Sequence, residues 1–283
     1  MKGVLNLYKE AGQTSASAVA KARHILGTKQ IGHMGTLDPQ GTGVLLLGVG
    51  KATRLFDFYL GSDKEYIADF TFGYTTDTLD GDGTITATTT AIPDKQAVLK
   101  ALNALTGTYG QMPPQYSAKS IGGIRAYDLA RQGKVAELNP AQITVYKLEL
   151  VEQVDDKSFK FFIHCSSGTY IRSICRDLAE SLSSLACMTS IHRKRSGNFT
   201  CGTAVKLKDL ERLGKSVIVP LEVALKDLER RDFDDSLYQK ILDGIKIDTL
   251  PSDSPFTVYC KNQLFGIGKS VDGKLKIPTF LKD

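Results

Sequence analysis

An aspartate followed by proline, with glycines at 32, 35, 41 and 43 around it, is the part of this chain best suited to chemistry. In Gly32-His33-Met34-Gly35-Thr36-Leu37-Asp38-Pro39 the proline biases Asp38 away from helix, so its carboxylate projects from a turn or an extended segment. The glycines permit backbone conformations that a Cβ would penalise. An acid held this way can act as nucleophile or proton acceptor, or it can do no more than hydrogen-bond its own turn. Tyr66, two after Lys64, offers an aromatic face, although periodicity alone puts it in the core. Arg172 falls in the first turn of a helix, where a cation gains nothing from the helix dipole and is better matched to a carboxylate. Taken singly, such an arginine is more often solvent-facing.

The elements that must position these groups read as follows. Val4 to Tyr8 is a short strand, and Thr14 or Ser15 caps a helix carrying Val19, Ala22 and Leu26 to a stop at Gly27. The continuous apolar run Val44 to Val49 predicts a buried strand. Ala52 to Leu60 is expected to be helical, and Glu65 to Phe72 alternates as a half-buried strand. Beyond them come a threonine-rich strand (84–90), a helix over 94–106 ended by Gly107, and a loop over 112–119 forced by its prolines. A short helix (125–131) stops at Gly133, two strands cover 143–151 and 158–165, and a helix covers 169–181. After Pro220 charges crowd together, placing a soft boundary between 1–228 and 229–283. The second part offers one helix (236–242), strands near 256–260, 264–268 and 274–278, and an Asp272-Gly273 hairpin turn. The inventory is α+β, rich in antiparallel strands.

Composition narrows the function classes. Thirty-six basic against 31 acidic side chains give a net charge of +5, compatible with a polyanion without demanding one. Distribution is more telling, because His192-Arg193-Lys194-Arg195 forms a cationic cluster suited to phosphate. Five cysteines without C-x-x-C spacing argue against a disulfide framework and a zinc site, and fit a reducing cytoplasm. The four histidines (24, 33, 164 and 192) lack metal-ligand spacing, and only His33 attracts a functional reading. Gly48-Val49-Gly50-Lys51 lacks the spacing of a phosphate cradle, so no nucleotide cofactor is expected. No apolar run approaches membrane-spanning length and no signal-peptide block opens the chain.

The Asp38 segment, continued through Thr42-Gly43-Val44-Leu45, resembles the catalytic-aspartate motif of the TruB family of tRNA pseudouridine synthases; Gln40-Gly41 departs from it, Leu-Ala being common there. Lys64-x-Tyr66, with Gly73 and Thr76-Asp77-Thr78-x-Asp80, resembles the second family motif, Glu65 standing where a basic residue is frequent. Ser167-Gly168-Thr169-Tyr170-Ile171-Arg172-Ser173 resembles the third. Met112-Pro113-Pro114-x-Tyr116-Ser117-Ala118, continuing through Gly123-x-Arg125-x-Tyr127, is also similar, with Ser120 where a lysine is usual and Lys119 one place early. Lys9 ahead of Gly12-Gln13-Thr14-Ser15 is similar to the family's opening, with Glu10 in place of proline, and Arg193, Arg195, Gly197 and Phe199 match a further region. The resemblance runs from about Lys9 to Phe199.

It implies a pseudouridine-synthase core around a mixed, largely antiparallel sheet, with a small C-terminal β-rich, PUA-like RNA-binding module. The implied reaction isomerises a uridine in the TΨC loop of tRNA (position 55) after base flipping, in a cytoplasmic, monomeric enzyme without metal or cofactor. Asp38 would be the nucleophile, Tyr66 would stack on the base and Arg172 would pair with Asp38. His33, Gly35 and Thr36 would contact RNA from the Asp38 loop, and Lys9, Lys64, Tyr170, Arg193 and Arg195 would hold substrate elsewhere. Two rival readings share the scaffold: the catalytic subunit of a guide-RNA particle, and a non-catalytic tRNA-binding or folding protein. The second predicts loss of the acid, tyrosine or arginine, and all three are present. The first often brings long basic tails, whereas this chain ends Lys282-Asp283.

Overall fold

The computed structural model describes residues 1–282 apart from 118–119, 122–123 and 133–135. Ala118, Lys119, Gly123, the Gly133 stop and Asp283 therefore lie outside the described residues.

Strand β1 (Gly3–Lys9) leads to helix α1 (Ser15–Leu26), whose N-cap Thr14 accepts a hydrogen bond from the Ser17 backbone N–H and whose stop is Gly27 in the left-handed region. Short β2 (Ile31–His33) and long β3 (Thr42–Val49) bracket the Asp38 loop. The expected helix over 52–60 is two pieces, a 3-10 segment Gly50–Leu55 running into α2 (Phe56–Leu60). β4 (Lys64–Phe72) shows the predicted alternation, and β5 (Tyr74–Thr76) pairs with an exposed β6 (Ile85–Thr88). The helix expected over 94–106 is α3 (Lys95–Ala101) followed by one 3-10 turn. β7 (Gly107–Gln111), a hairpin of β8 (Ser120–Ile121) and β9 (Ile124–Arg125), and α4 (Ala126–Arg131) come next. β10 (Ala141–Gln153) and β11 (Ser158–Cys165) precede α5 (Ile171–Ser181), which starts two residues later than expected because Tyr170 is extended at its N-cap.

β12 (Ala186–Ser196) was not anticipated, yet it is central. It and the short β13 (Phe199–Thr200) complete a nine-stranded sheet ordered β1-β3-β12-β4-β11-β10-β7, with β2 on β3 and β13 on β12. Every pairing in it is antiparallel except β3 with β12. The hydrophobic seams explain the strand patterns. β3 is covered on both faces: Leu45, Leu47 and Val49 pack under α1, whereas Val44 and Leu46 face Tyr59 and the C-terminal sheet. β4 turns Tyr66, Ala68, Phe70 and Phe72 toward Ile171, Ile174, Cys175 and Leu178 of α5, and leaves Glu65, Ile67, Asp69 and Thr71 half-buried on its other face.

After α6 (Leu207–Leu213) and α7 (Leu221–Ala224), a second sheet begins at Glu229. It comprises β14 (Glu229–Phe233), β15 (Phe256–Cys260), β16 (Gln263–Val271) and β17 (Lys274–Phe280), with α8 (Tyr238–Leu242) against it. This sheet has a core of its own around Phe256, Val258 and Phe265. It also shares one with the main body, where Tyr259, Leu264, Ile267 and Leu281 meet Val4, Leu46, Leu55 and Tyr59. The whole is α+β with a mixed, largely antiparallel main sheet. No helix among the described residues is long and apolar enough to cross a membrane.

Candidate active site

The loop between β2 and β3 is held at nearly every residue, and this is what makes its single acid usable. The Met34 N–H donates to the Leu46 carbonyl at 2.8 Å. The Ser15 hydroxyl, at the start of α1, accepts from the Leu37 N–H at 3.0 Å and donates to the Leu37 carbonyl at 3.1 Å. Lys9 is fully buried and donates to the carbonyls of Pro39 (2.8 Å), Gly41 (2.6 Å) and Glu10 (3.2 Å). Arg193, 3% exposed, donates to the Val44 carbonyl at 2.7 Å and the Thr36 carbonyl at 3.1 Å. Gly43 makes the last of these approaches possible: at φ +103° it lies against β12, where a Cβ would fall 2.2 Å from the Arg193 carbonyl oxygen.

Asp38 emerges from this frame into a cleft of about 530 Å³ whose lining includes Tyr66, Tyr116, Tyr127, Tyr170, Ile191 and Arg172. Its side chain is 33% exposed, and Arg172 Nη2 lies 3.2 Å from its Oδ1. Arg172 is the hub of the site. Besides Asp38 it reaches Asp80 Oδ2 at 3.2 Å, the Thr78 carbonyl at 3.0 Å and the Tyr116 carbonyl at 3.1 Å. One guanidinium thereby ties the acid's loop to the turn after β5 and to the proline-rich segment. Asp80 is itself oriented, its Oδ1 accepting from the Thr78 hydroxyl at 2.6 Å and the Asp82 N–H at 3.2 Å. Gln111, at the end of β7, secures the start of α5 by donating to the Tyr170 carbonyl and accepting from its N–H.

Opposing influences act on the Asp38 carboxyl. Burial pushes its carboxyl up; Arg172, the largest opposing influence, pulls it down, and Asp80 pushes it up again. The result is a carboxylate more basic than an ordinary aspartate. Burial also pushes the Tyr66 hydroxyl up, opposed by Arg193, and pulls Lys9 down to about 8.

Asp38, Tyr66, Arg172, Tyr170 and Thr36 all line the cleft. Other sequence-predicted residues serve elsewhere. Lys64 is 6% exposed and its ammonium donates to the Tyr59, Leu60 and Ser62 carbonyls at the end of α2, so burial and these acceptors keep it from a phosphate. Lys9 and Arg193 are likewise spent on the Asp38 loop. Arg195 pairs with Asp63 and Glu65, each at 2.8 Å. The expected cationic grip over 192–195 is thus dispersed by strand alternation, which buries Arg193 and exposes Lys194. His33, on β2 opposite Leu47, is outside the cleft lining. Gly35 contributes a φ of +113° that shapes the loop. Asp80 and Ser15 were named only as motif and cap residues, with no site role, because a turn acid and a cap serine carry no local signal of their distant partners. Among the described residues no group of three or more His, Cys, Asp or Glu could hold a metal.

Comparison with known proteins places the chain in a family. The model of the TruB family pseudouridylate synthases (N terminal domain) matches residues 23–171. The chain is 34% identical over 291 residues to tRNA pseudouridine synthase B of Clostridium perfringens (strain 13 / Type A), covering 99% of each. It is 37% identical over 266 residues to tRNA pseudouridine synthase B of Bacillus licheniformis, covering 90% of this chain and 86% of that one. Among solved structures, a crystal structure of a Cbf5-Nop10-Gar1 complex has a chain that superposes with a TM-score of 0.73 at 25% identity, covering 95% of this chain and 78% of that one. The chain belongs to the TruB family of pseudouridylate synthases.

Proposed function

We propose that this protein isomerises uridine to pseudouridine in the TΨC loop of tRNA (position 55), as a cytoplasmic enzyme acting as a single chain. The observation that carries the reading is the Asp38–Arg172 pair at 3.2 Å on the wall of a tyrosine-lined cleft of about 530 Å³. The reaction breaks the C1′–N1 bond, turns the freed uracil and joins C1′ to C5, while C5 loses its proton and N1 gains one by exchange with solvent. Reactant and product are isomers, so no electron or group donor enters the balance. Asp38 supplies the nucleophile or proton acceptor, and its raised basicity suits either role. Tyr66 gives the extruded base a face to lie on, which offsets the stacking lost on flipping. Relatives named tRNA pseudouridine synthase B support tRNA as substrate. Residues 1–228 would form the catalytic domain and 229–283 a PUA-like RNA-binding module. All five cysteines are free, in keeping with a reducing compartment.

The test is the purified chain on unmodified tRNA transcript without guide RNA. Asp38→Asn abolishes isomerisation and leaves tRNA affinity within about threefold, since one hydrogen-bonding isostere replaces another. Substantial pseudouridine from that variant refutes the assignment. The likeness to a chain of the Cbf5-Nop10-Gar1 complex favours a guide-RNA particle as the second reading, and activity of the wild-type chain alone eliminates it.

A further inference from the structure

The first two turns of α5 are tied to the end of β7 by directional bonds as well as by packing. Gln111 is 1% exposed; its amide donates to the Tyr170 carbonyl at 3.2 Å and accepts from the Tyr170 N–H at 2.9 Å. Tyr170 gives α5 no side-chain cap, and its carbonyl also accepts from the Ile174 N–H at 3.1 Å. The following carbonyl, of Met112, accepts from the Ser173 hydroxyl at 2.9 Å and from Arg176 Nη2 at 3.0 Å. From there the chain runs through Pro113 and Pro114 to Tyr116, whose carbonyl returns to Arg172 at 3.1 Å. The prolines stiffen this path, each fixing its own φ. Residues 111–116 thus form a closed brace on the helix that carries Arg172. We propose that Gln111 is a positioning residue: by pairing with both backbone groups of Tyr170 it fixes where α5 begins, and so where the Arg172 guanidinium stands beside Asp38. Packing of Ile171, Ile174 and Leu178 decides which face of α5 meets the sheet, but apolar burial is non-directional and lets a helix slide. Two bonds with fixed geometry at its first residue stop the slide. Gln111 is absent from the cleft lining, so it acts through Tyr170 and Arg172. The assignment rests on the proposed isomerase reading and extends it to a residue that does not meet substrate.

Gln111→Met removes both bonds and keeps the side chain's length. It is expected to lower kcat on tRNA roughly ten- to a hundredfold with KM within about twofold, the scale of a small misplacement at a reacting centre. In an Arg172→Lys background the same change costs less than about threefold, because the guanidinium it positions is gone. Asp38 faces Arg172 of α5, Asp80 of the turn after β5, Arg193 of β12 and Lys9 of β1, with Tyr66 of β4 nearby. Activity requires ionised Asp38 and falls as pH drops through its pKa. Arg172 is the largest influence lowering that pKa, so a receding guanidinium lets it rise and moves the acid limb to higher pH. Lost stability alone does not move the limb; Val258→Ala, in the core of the C-terminal sheet, is the control that leaves it in place. Should Gln111→Met not fold, Gln111→Asn keeps the amide but is one methylene short of spanning both Tyr170 groups, and it moves kcat and the limb in the same directions. Equal losses in both Arg172 backgrounds, an unmoved limb or a rise in KM alone overturn the proposal. A readout without turnover separates this from failure of the isomerase reading: in free protein labelled with ¹³Cγ-aspartate, Gln111→Met moves the Asp38 titration to higher pH. An unmoved titration also overturns it.

Discussion

Arginine is used in opposite ways at the two ends of this molecule. In the cleft, Arg172 and Arg193 are 8% and 3% exposed and aim at groups distant in sequence. In the C-terminal sheet, Arg230 and Arg231 lie over the rings of Tyr259 and Phe256, 3.9 and 4.0 Å from their centroids. Their acidic partners are Asp232 and Glu229, two residues away on the same strand and more than half exposed. The first arrangement sets distances between segments that meet only in the folded chain. The second lays guanidinium groups over aromatic rings, with carboxylate partners on the same strand and further contacts to Asn262 from Arg230 and to Thr249 and Leu250 from Arg231. Buried guanidinium networks lose whole desolvation energies when one partner is removed, whereas exposed pairs give back water.

That contrast can be broken by substitution. Arg172→Met should be the severest change after loss of Asp38 itself. It leaves Asp38, Asp80 and two carbonyls without their shared donor, so kcat should fall by about two orders of magnitude or more and stability by about 3–5 kcal/mol. Single-turnover assays and denaturant titration measure the two separately. Gly43→Ala should come next, for it forces a Cβ toward the Arg193 carbonyl at a positive φ. A stability loss of about 2–4 kcal/mol is expected from strain and overpacking together, read by thermal unfolding. Smallest is Arg230→Ala, expected to move the melting temperature by no more than about 2 °C and to leave kcat unchanged. A large effect there would show that the two ends are not organised as differently as their geometry indicates.

Much of the site was legible because its residues lie within short, ordered segments. Asp38, Tyr66 and Arg172 were identified from three motifs, and the cleft brings all three together. Strand alternation in β4 and the cap at Thr14 were also legible, since both depend on near neighbours. What escaped was long-range. β12 carries polar and charged residues through the middle of the main sheet, so neither a period of two nor an apolar run marks it. Arg193 looked like part of a surface cluster because sequence shows four adjacent basic groups, and only pairing with β4 and β3 assigns them to different faces.

The sequence by itself determined which chemistry this chain can attempt: a carboxylate on a rigid turn, an aromatic platform and a cation to face the acid. The turn around the acid follows from residue type and local spacing, whereas the roles of Tyr66 and Arg172 are what the resemblance to the family implies. Tertiary structure alone decided which cations serve that acid and which serve the backbone. Lys9, Lys64 and Arg193 were all expected to hold substrate, yet each is buried among carbonyl oxygens. A buried cation must find acceptors wherever the fold supplies them, and those acceptors come from segments far apart in the chain.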